Sequence, residues 1–252
     1  MKSPFFRYQL RLTVAGIFLF SVFLGPSWAQ EAATGWSHES ELGVILVGGN
    51  SSILSVNANQ NTKRSFGLNS LSFQTSYQVA SAESTLTTRV WRAGLRYDRQ
   101  IFKDFNLFLS NDWRGNTFAG FIYQTNVDAG GKYFWVRAKK QGEFEFFTEL
   151  GYRTQVIRAI DLSQIVNHSL RTFFQVEKGI GPNATARFWV EVVPEFSDIE
   201  DLQVNLEPSV RVSLSSVISM KVAYLVNFDN VPPSEGLERI DSTFTTSLVA
   251  RY

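Results

Sequence analysis

Residues 143–153, EFEFFTELGYR, decide the fold. In an extended strand successive side chains point to opposite faces, so Phe144, Phe146, Thr148, Leu150 and Tyr152 share one side. Glu143, Glu145, Phe147, Glu149, Gly151 and Arg153 share the other. One face is apolar and uncharged; the other carries three carboxylates and an arginine. That division suits a strand standing between lipid and a polar interior.

The same parity extends through the chain. Trp91, Ala93, Leu95 and Tyr97 oppose Arg92, Arg96 and Asp98, and Leu107, Leu109 and Trp113 oppose Phe108, Ser110, Asp112 and Arg114, with Asn111 on the apolar side as an exception. Val127, Ala129, Tyr133 and Trp135 oppose Asn126, Asp128, Lys132 and Phe134. Further on, Phe174 alternates with Arg171, Phe173 and Glu177, and Phe188 with Arg187, Trp189 and Glu191. Val210 and its apolar partners alternate with Glu207 and Arg211, Tyr224 lies on an apolar face, and the last strand places Phe244, Leu248 and a terminal Tyr252 together. Earlier, Leu54, Val56 and Ala58 alternate with Ser55, Asn57 and Asn59, and Leu71, Phe73 and Tyr77 with Ser72, Gln74, Ser76 and Gln78. The first strand, roughly His38 to Val47, is apolar on both faces toward its end, and its register is not readable.

Counting segments gives about twelve strands in an all-β, single, antiparallel up-and-down transmembrane barrel. Connections are expected over 48–51, 64–67, 81–85, 102–105, 115–120, 137–142, 155–165, 179–183, 195–201, 213–217 and 229–241. An even count places both termini on one side, with short turns there and longer loops opposite, the 48–51 turn being an exception on the far side. The charged side chains form the expected lumen wall, to which Lys221 and Arg251 also belong. Trp91, Tyr97, Tyr133, Trp135, Phe144, Phe146, Tyr152, Phe174, Phe188, Tyr224, Phe244 and Tyr252 form the expected lipid face and its aromatic girdles. Glu145 and Glu149 lie one strand from Arg171, which predicts cross-strand ion pairs.

Residues 1–29 read as a cleavable signal peptide: Lys2, Arg7 and Arg11, an apolar run from Leu12 to Leu24, then Ser27-Trp28-Ala29. The barrel domain is then 30–252. The chain has 24 Lys and Arg against 23 Asp and Glu, so no electrostatic field for nucleic acid is indicated. It has no cysteine, which excludes a thiol nucleophile, a thiolate metal site and a disulfide frame. Neither a cofactor nor a metal is expected. The partners implied are outer-membrane lipids, lipopolysaccharide and the barrel-assembly machinery, the last through the strand that ends at Tyr252.

Four functional readings compete. A narrow small-solute channel and a structural or stress-related envelope protein both fit a charged wall with nearly balanced signs. A lipid-modifying esterase would need a base and a nucleophile in reach, and only His38 and His168 exist. His38-Glu39-Ser40 could share a face, but no orienting third group is evident. A soluble periplasmic carrier would show the same alternation with its polar face outward.

The segments WRAGLRYDRQIFKDFNLFL (91–109), FAGF (118–121), DAGGKYF (128–134), LGYR (150–153) and NFDNVPP (227–233) resemble the YdiY-like family of salt-induced outer-membrane proteins, domain of unknown function 481. The resemblance implies a Gram-negative outer-membrane barrel and carries no catalytic site.

Overall fold

The computed structural model describes residues 35–47, 53–140, 142–232 and 237–252. The expected signal peptide, the 48–51 turn and Pro233 lie outside the described residues. Twelve antiparallel strands form a closed barrel, each bonded to its chain neighbours and β12 to β1. They are β1 (Gly35–Val47), β2 (Ile53–Phe66), β3 (Asn69–Ala82), β4 (Thr85–Phe102), β5 (Phe105–Asn116) and β6 (Phe121–Val136), then β7 (Glu145–Ala159), β8 (Gln164–Gly179), β9 (Ala184–Pro194), β10 (Leu202–Ser213), β11 (Ile218–Asp229) and β12 (Ile240–Arg251). Both ends of the described chain lie at one rim, called here the terminal rim; the other is the far rim.

The outer face is apolar. Leu150, Leu109 and Leu248 are each more than half exposed, and so is Trp135. Outward-pointing charges occur at strand ends. On β4 these are Arg89 and Arg99, ten residues apart, with Trp91, Ala93, Leu95 and Tyr97 between them. Ten residues rise about 34 Å along a strand. A tilt of about 35–45° reduces that to roughly 25 Å, the height of the apolar band of an outer-membrane barrel.

Several boundaries differ from those expected. The segment 155–165 is mostly strand, because β7 runs to Ala159 and β8 starts at Gln164. Ile157 and Ala159 point inward and are buried, so apolar residues on both faces hid the alternation there. The 81–85 connection is a two-residue turn at Glu83 and Ser84, both at positive φ (52° and 64°), the hairpin geometry that follows the twist of its strands. β2 continues to Phe66, leaving a turn of only Gly67 and Leu68. At 115–120, β5 extends to Asn116, whose side chain caps a 3-10 turn by accepting from the amides of Phe118 and Ala119. Short turns therefore occur at both rims, and the 137–144 connection, at the terminal rim, is among the longer ones.

Glycines on the inner wall make room for large neighbours. One cross-strand row runs Phe108, Gly130, Gly151, Arg171. A Cβ at Gly151 would come within 3.2 Å of the Phe108 ring and 2.8 Å of a backbone oxygen. Phe108 thus leans over Gly151, and the Arg171 guanidinium lies 5.7 Å from its ring centroid.

Candidate functional site: the lumen and its ion-pair network

The inner wall of β4–β10 brings charges together in one network. Arg153 donates to Asp128 at 2.7 and 2.9 Å and to Glu191 at 3.0 Å. Arg171 donates to Glu191 at 2.6 Å and to Glu149 at 2.8 Å, and lies 3.5 Å from Asp128. Arg96 clasps Glu149 (2.8 and 3.0 Å) and Asp98 (2.8 and 2.9 Å), while Lys132 lies 3.9 Å from Glu149. Asn205 adds a donor to Glu191 at 3.0 Å. Glu149 is 3% exposed, Arg153 6% and Arg171 7%, so the waist on this side is filled.

The network continues toward both rims in other chemistry. On the far side Arg114 donates to Gln124, which donates to Asn126; Gln155 also donates to Asn126 and exchanges hydrogen bonds with Gln203. Toward the terminal rim stands an aromatic row: Phe134–Phe147, Phe147–Phe173 and Phe173–Trp189, with centroids 5.4–5.9 Å apart. The Lys132 ammonium sits 3.5 Å from the Phe147 centroid, a cation–π contact.

A second cluster clamps the closing strands. Glu39 on β1 accepts from Arg211 at 2.9 and 3.0 Å and from Arg251. Glu41 faces Lys221 at 3.4 Å and accepts from Ser247. Arg187 meets Glu207 at 2.8 Å. A small recess among Glu177, Thr185, Arg187, Ser209, Arg211, Lys221 and Arg251 opens beside this cluster.

The opposite wall is different. Arg92 points inward and pairs with Asp112 at 2.7 Å, yet its side chain is 56% exposed. Beside it, β2 and β3 present Asn57, Asn59, Asn61, Ser72, Gln74, Ser76 and Gln78, uncharged and none buried, with Lys63 on the same face of β2 toward the terminal rim. Side chains on this wall are accessible from the lumen, whereas those of the ion-pair network are nearly dry.

Of the expected wall residues, Glu143 is misplaced. It lies in the 137–144 connection, exposed, and accepts from the Lys139 amide at 2.9 Å; parity was extended two residues beyond the start of β7. Glu145 faces Glu177 in register rather than Arg171. Asn126 stands on the inner face as its parity implied, whereas Glu39, Glu41, Gln124 and Gln155 are parts of the site that charge parity overlooked. Among the aromatic residues, Tyr97 donates to Asn69 at 2.6 Å, Trp135 stacks on Phe146 and bonds Thr148, and Tyr152 bonds His168 at 2.6 Å. Trp91, Tyr133, Phe174, Phe188, Tyr224, Phe244 and Tyr252 are all exposed on the outside, and Phe144 is exposed in the 137–144 connection. His38 bonds Thr62 at 3.0 Å and Ser40 donates to Gln60 at 2.5 Å, so this histidine and serine are engaged elsewhere.

With this geometry in hand, sequence comparison decides the family. The model for DUF481, protein of unknown function, matches residues 40–252. The chain belongs to the DUF481 family. No curated protein sequence matches it. Among solved structures it is similar to the NanC porin, with a TM-score of 0.51 at 7% identity, covering 86% of this chain and 98% of that one. The translocator domain of the autotransporter NalP from Neisseria meningitidis gives 0.47 at 11% identity, covering 87% and 88%, and the KdgM porin 0.46 at 9%, covering 85% and 98%. At 7% identity the likeness to the NanC porin is one of fold.

The far rim of this DUF481 barrel holds one titration of note. Burial, and then the neighbouring Asp229, Glu195 and Asp198 carboxylates, push Asp201 up to about 6. A carboxyl held above its unfolded value favours the folded chain when protonated. Stability contributed at this loop is therefore full below about pH 4 and declines as pH rises through 6. Asp201→Asn should raise stability at pH 7.5 by on the order of 1 kcal/mol, the group being partly hydrated. Thermal melts of the two proteins at pH 7.5 and pH 4 check this: the difference should vanish at pH 4.

Proposed function

We propose that this DUF481 barrel sits in the Gram-negative outer membrane, reached by export of a signal-peptide precursor, and acts as a narrow, off-centre channel for small polar solutes. The observation that carries it is the asymmetry of the lumen: Arg92 points inward and is 56% exposed on its side chain, whereas Arg153 and Arg171 across from it are nearly dry. The charges neutralise one another on the filled side, leaving an amide- and hydroxyl-lined path along β2 and β3. A membrane setting is supported by the outward apolar band, which a soluble carrier would expose to water at great cost. Lipids and lipopolysaccharide are its natural surroundings, with the strand ending at Tyr252 presented to the assembly machinery. A non-enzymatic role is supported by His38 and Ser40, which bond other partners on the outer face.

Planar-bilayer recording tests this. Wild type should give small steps, Gln74→Trp should remove most of the conductance by filling the hydrated side, and Arg92→Glu should shift the reversal potential toward cations. A silent wild type would sink the channel and favour the second reading, a structural, salt-stress-related envelope protein of the YdiY-like kind, for which the packed waist speaks.

A further inference from the structure

The barrel is closed unevenly. β1 and β12 pair from Glu39↔Arg251 to Leu42↔Leu248, with His38 and Tyr252 exchanging backbone hydrogen bonds just below. Beyond Leu42 the ladder stops. Yet β1 continues in register with β2 as far as Val47↔Ile53, and β12 continues in register with β11 as far as Ile240. Residues 43–47 and 243–247 would be the next five opposed pairs, and among the described residues they form no ladder. Every other neighbouring pair of strands is joined over eight to fourteen positions.

The division is built into the sequence. On the terminal half the Glu39 and Glu41 clusters hold Arg211, Lys221, Arg251 and Ser247 across the seam. At the fork stands Gly43. A Cβ there would overlap the Asn57 amide oxygen and come within 2.7 Å of the Thr246 carbonyl oxygen, so the Asn57 side chain lies across β1 just where the strands part. The inner lining next to the unpaired stretch is uncharged: Ala223 opposite Thr245 and Leu225 opposite Thr243. Ile45, which has inward parity, is 43% exposed, and Leu42 and Val44 on the outer face are more than half exposed.

Unpaired backbone groups are costly where they face hydrocarbon and are tolerated where they line a cavity. We propose that the far half of the β1–β12 seam is a lateral portal that joins the lumen to the surrounding leaflet and admits the hydrocarbon part of an amphipathic molecule. The clamped terminal half keeps the barrel shut below it. Ile45, Val44 and Leu225 give the portal an apolar sill, and Thr243 and Thr245 supply hydroxyls to a polar head passing inward. The proposal rests on membrane insertion as read above but not on axial conductance.

The chain has no cysteine, so single labels are clean. In nanodiscs of brominated phospholipid, a fluorophore on Ile45→Cys should be quenched, and one on Gln74→Cys, inward on the hydrated wall, should not. A Val44→Cys/Thr246→Cys disulfide, bridging the second open pair, should abolish the effect when a third cysteine carries the label at position 45. On the unaltered protein, those amides of 243–247 that point toward β1 should exchange at least about tenfold faster than those of 248–251. Equal exchange rates across the whole seam would overturn the proposal, as would an Ile45 label untouched by bromolipid. Failure of the barrel to insert would show instead as absent quenching at outward Leu248→Cys, which overturns the membrane reading as well.

Discussion

Arg171→Met should lower the unfolding free energy of the barrel by about 3 to 5 kcal/mol, the range for breaking a buried ion pair by removing one partner. Arg171 joins Glu149 and Glu191 and lies 3.5 Å from Asp128. Arg96 still holds Glu149 and Arg153 still holds Asp128 and Glu191. The loss is therefore an uncompensated half-charge on each of several dry carboxylates. Methionine fills a similar volume and spares the Gly130–Gly151 floor, so a cavity contributes little. Urea titration in lipid vesicles, read by the mobility shift between unboiled and boiled samples, measures the effect. Adding Glu149→Gln to Arg171→Met should recover part of the loss, because one stranded charge is removed; strict additivity would mean that the two side chains do not interact.

The parity that built this network was legible in the sequence, and its limits were physical. Residues 145–153 have one ionic or bulky inward series and one apolar outward series, so their register is unambiguous. At 157 and 159 the inward positions are apolar and buried, and the strand resembled a loop. At 44–47 a run of Val, Ile, Leu and Val blurred β1, which hid Glu39 and Glu41 although Ser37, Glu39 and Glu41 alternate with His38, Ser40 and Leu42. Gln124 and Gln155 are each 2% exposed, among the most buried polar groups of the lumen, and charge counting cannot see amides. Asn111 faces outward beside Leu95 and Val127, as its position implied, with its Oδ1 unpartnered among the described residues. The open half of the seam was beyond reach, because it depends on how residue 42 meets residue 248 rather than on any local pattern.

Leu95→Arg should cost about 2 to 4 kcal/mol, whereas Ile101→Arg should cost about 0 to 1. Leu95 points outward and Ile101 sits in the bulge between Gln100 and Phe102, and they are 42% and 41% exposed. Accessibility alone therefore predicts equal effects. Depth does not. Leu95 lies near the middle of the interval bounded by Arg89 and Arg99, while Ile101 lies beyond Arg99 at the terminal rim, where the guanidinium reaches water and lipid headgroups. The neighbouring Arg96 shows what parity does for the same charge: one residue further along, it points inward and meets Glu149 and Asp98 at 2.8 Å. An arginine at 95 has no such carboxylate on its side, since Phe73 and Asn111 flank it in register. Urea unfolding of the two variants in vesicles measures the difference. Equal costs would mean that the band between Arg89 and Arg99 does not face hydrocarbon, and the membrane placement of the whole barrel would fall with it.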